Sequence, residues 1–356
     1  MNLVGFDYIN EKDKKLSELF ISSKNTKKYI LGINRLTKSI CKHIEVDGII
    51  DDFTRVQSSR KKKNIVTLEE VPKDAIILCT ATGSPLEVIA KLDELGYTHF
   101  NYLSFYRYSN LNLNQPPFMD DFKDDFLKNE KEYQKTYDLL ADEKSKEVFT
   151  KVLNFKMTYD FEFMHGFTNN FDEQYFDSEL IPDIKNINFV DGGGYIGDTL
   201  KPIMNYFPDF NKIYCIEPND LHINIAKKNF SNYENIEFIN CGLGNKVQNS
   251  NDKDESQNNC AHDYQALNIN TLDNLIKEKV DFIKMDIEGA EQDAIEGSKE
   301  TILKYHPILA ICIYHKAADW YKVPQMVLDI KKEYNIYIRH YMEGIYETVM
   351  YFIPKK

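Results

Sequence analysis

Residues 189–199, FVDGGGYIGDT, constrain this chain more than any other stretch. Four of the 15 glycines in 356 residues fall here, at 192, 193, 194 and 197, so some backbone has to pass very close to a neighbour. Glycine alone permits that approach, and positive φ, at little cost. Ile187, Phe189 and Val190 lead in as an apolar strand, and Thr199, Leu200 and Ile203 follow with helix-like spacing. Strand, tight loop and helix in that order put free amides and a positive dipole end behind the loop, which suits a ligand with anionic or polar groups. The first expectation is therefore a nucleotide-type cofactor site.

The rest of the C-terminal half repeats the strand and helix alternation. KIYCIE (212–217) reads as a strand ending on Glu217, with a helix near 221–230; NIEFIN (235–240) is the next strand, ending at Cys241 and Gly242. A polar insertion at 245–265 reads as a surface loop, and 271–276 starts a helix. VDFIKM (280–285) runs into DIEGAE (286–291), and PILAICIY (307–314) ends at His315. The last two strands, 334–341 and 347–354, are joined by only MEGIY, too short for a helical crossover, so they should pair antiparallel. The expectation for 184–356 is an open, Rossmann-like sheet of seven strands, mostly parallel, closed by a hairpin. A ligand should lie at the carboxyl ends of its strands, which carry Asp191, Glu217, Cys241, Asp286 and His315.

A chain of this length exceeds one ordinary core. Residues 1–110 alternate short apolar strands (28–33, 48–52, 74–80, 100–103) with helices (13–23, 85–95), which implies a small parallel α/β domain. Asp51 and Asp52 lie where a ribose-binding acid could, but the turn GINRLTK holds one glycine. A scaffold or substrate-recruiting domain is the favoured reading there. Residues 111–183 read as a helical connector, with Phe118, Phe122, Phe126 and Tyr133 at roughly helical spacing. Asp120, Asp121, Asp124 and Asp125 read as its solvated face.

Composition narrows the function. A formal net charge of −12 argues against affinity built on neutralising phosphate backbones, and so against nucleic-acid partners. The basic run Arg60, Lys61, Lys62, Lys63 is short enough to be a solvated loop. The longest apolar run, 307–314, cannot cross a bilayer, and the first residues lack the apolar core of a signal peptide, so no membrane insertion and a cytoplasmic setting are expected. Six cysteines show no metal-binding spacing, and Cys79, Cys215 and Cys312 sit in apolar runs as buried thiols.

Gly192, Gly194 and Gly197 satisfy GxGxxG with Glu217 twenty residues on, so a nicotinamide dinucleotide is one candidate. S-adenosylmethionine (SAM) is favoured instead. Asp191 directly before the glycines would repel a pyrophosphate but could bind the methionine ammonium. The closing hairpin is also unusual for a dinucleotide fold, and DIEGAE has no evident dinucleotide role. With FVDGGGYIGDT, IEP (216–218), IKMDIEGAE (283–291), YHKAADWY and ETVMYF (347–352) in place, the chain resembles the FkbM family of SAM-dependent methyltransferases over roughly residues 173–354. Gly194 stands where that family usually has alanine, and residues 1–110 fall outside the resemblance.

The resemblance implies a class I methyltransferase sheet. It implies that Asp191, Gly193 and Gly197 line the methionine end, that Gly194, Tyr195 and Asp286 also belong to the cofactor site, and that Glu217 accepts hydrogen bonds from both ribose hydroxyls. Cys241 and Gly242 would border the adenine, while Asp198 and Thr199 either line the loop or cap its helix. Methyl transfer to a hydroxyl needs a nearby base, for which His315, Asp286 and Glu288 are the candidates. Asp286 with Glu288 lacks a clear third ligand, so no metal is expected. Trp320 and Tyr321 read as packing, and His306 as a helix end. The expected substrate is a small molecule or glycan, by the resemblance a sugar of a nucleotide-linked or surface-glycan precursor. A homo-oligomer is compatible with the sequence. The alternatives are an NAD-dependent oxidoreductase and a non-catalytic scaffold.

Overall fold

The structure is a computed structural model in which residues 1–52, 64–248 and 268–355 are described. The basic run at 60–63, Cys260 and most of the polar insertion lie outside the described residues. The chain divides into two compact units, one of Met1–Lys123, Phe149–Asn169 and Met342–Tyr346, the other of Asp124–Val148, Asn170–Tyr341 and Glu347–Lys356. Residues 111–183, expected as a connector, are thus shared between the two.

In the first unit, β1 (Lys28–Leu31), β2 (Gly48–Ile50), β3 (Ile65–Val66), β4 (Ile76–Cys79) and β5 (Thr98–Asn101) form a parallel sheet in the order β3-β2-β1-β4-β5. Tyr29, Ile50, Ile77, Leu92 and Tyr97 bury its core. The last apolar run differs from the sequence reading. The strand stops at Asn101, whose side chain accepts from Ser104 N–H at 2.9 Å and starts a helix, Tyr102–Tyr108. An Asx cap outweighs the strand preference of the aromatics that follow.

Where β1 and β4 diverge, the chain's own side chains fill the crevice. Asn34 accepts from Leu36 N–H at 2.9 Å and donates to Thr80 O at 2.8 Å, and the Thr37 and Thr80 hydroxyls lie 3.1 Å apart. The N-terminus of helix Pro85–Glu94 is likewise taken, because Glu343 accepts from Leu86 N–H at 2.7 Å and Glu87 N–H at 3.1 Å. A buried carboxylate is what the amides and dipole there favour.

The second unit holds β6 (Asn188–Gly192), β7 (Lys212–Ile216), β8 (Ile236–Ile239), the short pair β9 (Gly242–Leu243) and β10 (Ile269–Asn270), β11 (Phe282–Met285), β12 (Ile308–Cys312), β13 (Tyr334–His340) and β14 (Thr348–Pro354). Seven of them make one sheet in the order β13-β14-β12-β11-β6-β7-β8, parallel except that β14 runs antiparallel to both neighbours. This is the seven-stranded sheet and closing hairpin that the spacing predicts. The centre of the sheet is fully buried: Phe189 and Phe282 stack with ring centroids 4.6 Å apart, and Ile283, Ile311 and Met350 are inaccessible.

Trp320 and Tyr321 pack inside helix Asp319–Ile330, and His306 ends helix Lys299–Tyr305 with φ +51, both as expected. Asp120, Asp121 and Asp124 are exposed, but Asp125 departs from the solvated face. Its carboxylate lies 2.8 Å from the buried Tyr133 hydroxyl and accepts from the Tyr321 hydroxyl at 3.2 Å. Cys79, Cys215 and Cys312 are buried, free thiols.

Candidate active site

The glycine loop is shaped by the protein that surrounds it. Gly193 has φ +77, and a Cβ there would lie 1.8 Å from the Asp286 carbonyl oxygen. A Cβ on Gly194 would lie 2.3 Å from Cys215 Sγ, so the alanine usual in the family has no room with Cys215 placed as it is. The Gly193 and Gly194 amides both donate to Ile216 O at 3.0 Å. Those amides are therefore occupied, and a pyrophosphate cradle of the dinucleotide kind is closed. Tyr195 is forced to φ +41 and is half exposed. Thr199 takes the N-cap position of helix Leu200–Tyr206 without a side-chain hydrogen bond, and Asp198 is exposed, so the expected side-chain cap by Thr199 is not made.

Asp191 is completely buried and opposes Lys284 in the β6–β11 register. Lys284 Nζ lies 2.9 Å from Asp191 Oδ1 and donates to Gly193 O at 2.8 Å. Burial pulls the Lys284 ammonium down, but the carboxylates of Asp191 and Asp286 outweigh it and hold the lysine above its ordinary value. Burial pushes Asp191 up while Lys284 opposes it. At 2.9 Å the pair is an ion pair, and the lysine is its charged anchor. The charge before the glycines is therefore already matched inside the sheet, which the sequence reading missed. Asp191 Oδ2 remains buried without a hydrogen-bond partner.

Across β6 from Lys284, Glu217 ends β7 and is 7% exposed. Its Oε2 accepts from Tyr195 N–H at 3.1 Å and its Oε1 from Asn219 N–H at 2.8 Å, with His222 Nδ1 3.6 Å from Oε1. Each oxygen keeps a lone pair for a further donor. The Tyr195 and His222 rings meet edge to face, centroids 4.4 Å apart. Cys241 is buried beyond this edge, which raises its thiol to about 11, and Gly242 opens β9 by donating to Asn268 O at 2.7 Å.

On the other side, Asp286 follows β11. Its Oδ2 accepts from the Tyr175 hydroxyl at 3.0 Å and its Oδ1 from the Tyr314 hydroxyl at 3.1 Å, with His315 Nε2 3.4 Å from Oδ1. His315 is 6% exposed, and its Nδ1 faces Glu291 Oε1 at 3.0 Å. Glu288 is exposed, with φ +55 and its Oε2 3.9 Å from His315 Nε2. Burial lowers the His315 pKa, but Glu291 and then Asp286 and Glu288 overcome it and raise it to about 9. Those carboxylates favour the imidazolium form of His315, an arrangement suited to holding Asp286.

The structure brings Asp191, Gly193, Asp286 and His315 together and sets Glu217 and Tyr195 on the opposite flank of β6. A separate cavity of about 510 Å³, lined by Pro182, Tyr305, His306 and Pro354 among others, lies at the other end of the strands. Sequence reasoning missed Tyr175, Lys284, Tyr314 and, as a site residue, Glu291. Only Lys284 left a signal, as a lysine inside an otherwise apolar strand.

Residues 185–342 match the family model of the methyltransferase FkbM domain. Over those residues the chain is similar to the methyltransferase FkbM domain, and the seven-stranded sheet is consistent with the class I methyltransferase fold. A crystal structure of methyltransferase FkbM from Methylobacillus flagellatus KT is similar with a TM-score of 0.77 at 23% identity, over 97% of this chain and 94% of that one. An rRNA methylase from Streptococcus thermophilus matches at 16% identity and TM-score 0.34, over 50% of this chain and 92% of its own. Aeropyrum pernix fibrillarin, solved with natively bound S-adenosyl-L-methionine, matches at 12% identity and TM-score 0.32, over 49% of this chain and 69% of its own. No curated protein sequence matches significantly. Among the described residues, no helix is long and apolar enough to cross a membrane.

Proposed function

We propose that this chain transfers a methyl group from SAM to a hydroxyl of a sugar in a nucleotide-linked or surface-glycan precursor, in the cytoplasm. The observation that carries the reading is the placing of two acids, Glu217 and Asp286, on opposite flanks of the glycine loop at the carboxyl ends of β7 and β11. The residues present fit the cofactor. Glu217 has lone pairs for two vicinal ribose hydroxyls, and the orphaned Asp191 Oδ2 suits the donors of an α-ammonium. The occupied amides of Gly193 and Gly194 count against the dinucleotide alternative.

When bound, SAM supplies an electrophilic methyl group on a positively charged sulfur. The chain's own residues do the rest. Glu217 and the loop fix the position of the ligand, and Lys284 holds Asp191 and Gly193 in place. Tyr175, Tyr314 and His315 hold the Asp286 carboxylate in position beside the loop.

Incubation with methyl-labelled SAM and a panel of nucleotide sugars and glycan precursors tests the acceptor. The expected product carries the label as a methyl ether on a sugar. Label on nitrogen or carbon, or on no sugar in the panel while another class of molecule is methylated, would overturn the sugar hydroxyl assignment.

A further inference from the structure

Glu347, the residue before β14, has a left-handed backbone with φ +66, an uncommon conformation outside glycine that clusters at functional positions. Its carboxylate accepts a hydrogen bond from Gln174 Nε2, which also donates to the Tyr175 hydroxyl at 2.8 Å. That hydroxyl is the one that binds Asp286 Oδ2. Glu347 and Asp286 each place a carboxylate oxygen within 4.8 Å of the other and of Cys312 Sγ. A strand-end strain, a bridging amide and a tyrosine thus join two carboxylates that lie over 60 residues apart in sequence.

Two carboxylates at this separation resist ionising together, so the pair tends to share one proton. Asp286 has two hydroxyl donors and an imidazolium edge, whereas Glu347 has one neutral amide. Glu347 is thus the carboxylate with fewer hydrogen-bond donors. The charged and titratable groups that face Glu347 are Asp286 and Lys284 from β11, Cys312, Tyr314 and His315 from the end of β12, and Tyr175. Burial first, then Asp286, lift Glu347 to about 7, against the pull of Gln174, His315 and Lys284. A carboxylate near neutrality is suited to proton transfer at neutral pH. Nearby, Glu291 Oε2 is fully buried with no hydrogen-bond partner, an acceptor left over in the cluster that includes Asp286 and His315.

We propose that Glu347 is the proton acceptor of the methyl transfer, with Asp286 as the neighbouring carboxylate joined to it through Gln174 and Tyr175. The inference rests on the cofactor and hydroxyl reading given above. In the step, a lone pair of the acceptor oxygen forms the O–C bond to the methyl carbon. The C–S bond breaks with its electron pair going to sulfur, and the hydroxyl proton passes to the Glu347 carboxylate. Charge balances, since a sulfonium and a carboxylate become a neutral thioether and a neutral acid. The resting proton of Glu347 must first leave to solvent, and a sulfonium held in this crevice would favour its loss. The Gly193 backbone lies against Asp286, so the loop that would hold the ligand adjoins the pair.

The test is calorimetric titration of the full chain at pH 7 with SAM and with S-adenosylhomocysteine, in buffers of different ionisation enthalpy. The wild type should release roughly half a proton more per SAM, relative to S-adenosylhomocysteine, than Glu347→Gln releases. Both ligands should still bind the variant. An equal SAM excess in wild type and Glu347→Gln overturns the proposal and assigns the proton to another group, of which Asp319, also raised to about 7, is the nearest rival. Should Glu347→Gln not fold, Asp319→Asn decides: a SAM excess unchanged from wild type supports the proposal, and an excess lost in Asp319→Asn overturns it. Failure of both ligands to bind the wild type sinks the cofactor reading instead.

Discussion

Glu217→Ala is expected to weaken S-adenosylhomocysteine binding by roughly 10²- to 10⁴-fold. Two hydrogen bonds from ribose hydroxyls to a carboxylate contribute about 1.5–3 kcal/mol each, and about 1.4 kcal/mol is a factor of ten in affinity. The substitution also frees Tyr195 N–H and Asn219 N–H, so the loop loses a tie at each end. Glu217→Gln separates the two effects. Its single carbonyl oxygen can accept from only one of the two backbone amides and it loses the charge, so it should bind at an intermediate level with a urea midpoint between those of Glu217→Ala and wild type. Binding of Glu217→Ala within about threefold of wild type would remove Glu217 from the ligand's contacts.

Lys284→Met is expected to destabilise the second unit by about 3–5 kcal/mol, because it strands the buried carboxylate of Asp191 without its counter-charge. The methionine fills a similar volume, so lost packing contributes little. The double variant Asp191→Asn with Lys284→Met should recover most of the loss, since a buried ion pair replaced by neutral groups is often close to neutral overall. Urea unfolding of the four proteins closes that cycle. A single Lys284→Met variant within about 1 kcal/mol of wild type, or a double variant as unstable as the single, contradicts the ion-pair account.

The sheet was legible because its strands end on polar residues that interrupt apolar runs, as Asp191, Glu217, Asp286 and His315 do. The hairpin was legible from the five-residue spacing of its strands. The two-residue strands β3, β9 and β10 are too short to carry a pattern. The charge state of the site was not legible. Lys284 meets Asp191 only through strand register, and Tyr175 reaches Asp286 from 111 residues away. The surroundings of His315 and of the glycines were hidden in the same way, in tertiary contacts. His315, read as a base from its place after a strand, sits among three carboxylates that favour its protonated form. The glycines, read as a ligand's backbone cradle, are required first by Asp286 and Cys215.

The central claim is that the crevice between Glu217 and Asp286 binds the methyl donor's nucleoside and amino-acid ends and not a dinucleotide. Calorimetric titration of the wild-type chain with S-adenosylhomocysteine and, separately, with NAD tests it most directly. Saturable one-to-one binding of S-adenosylhomocysteine with no heat from NAD is the predicted result. Binding of NAD with none of S-adenosylhomocysteine would contradict it.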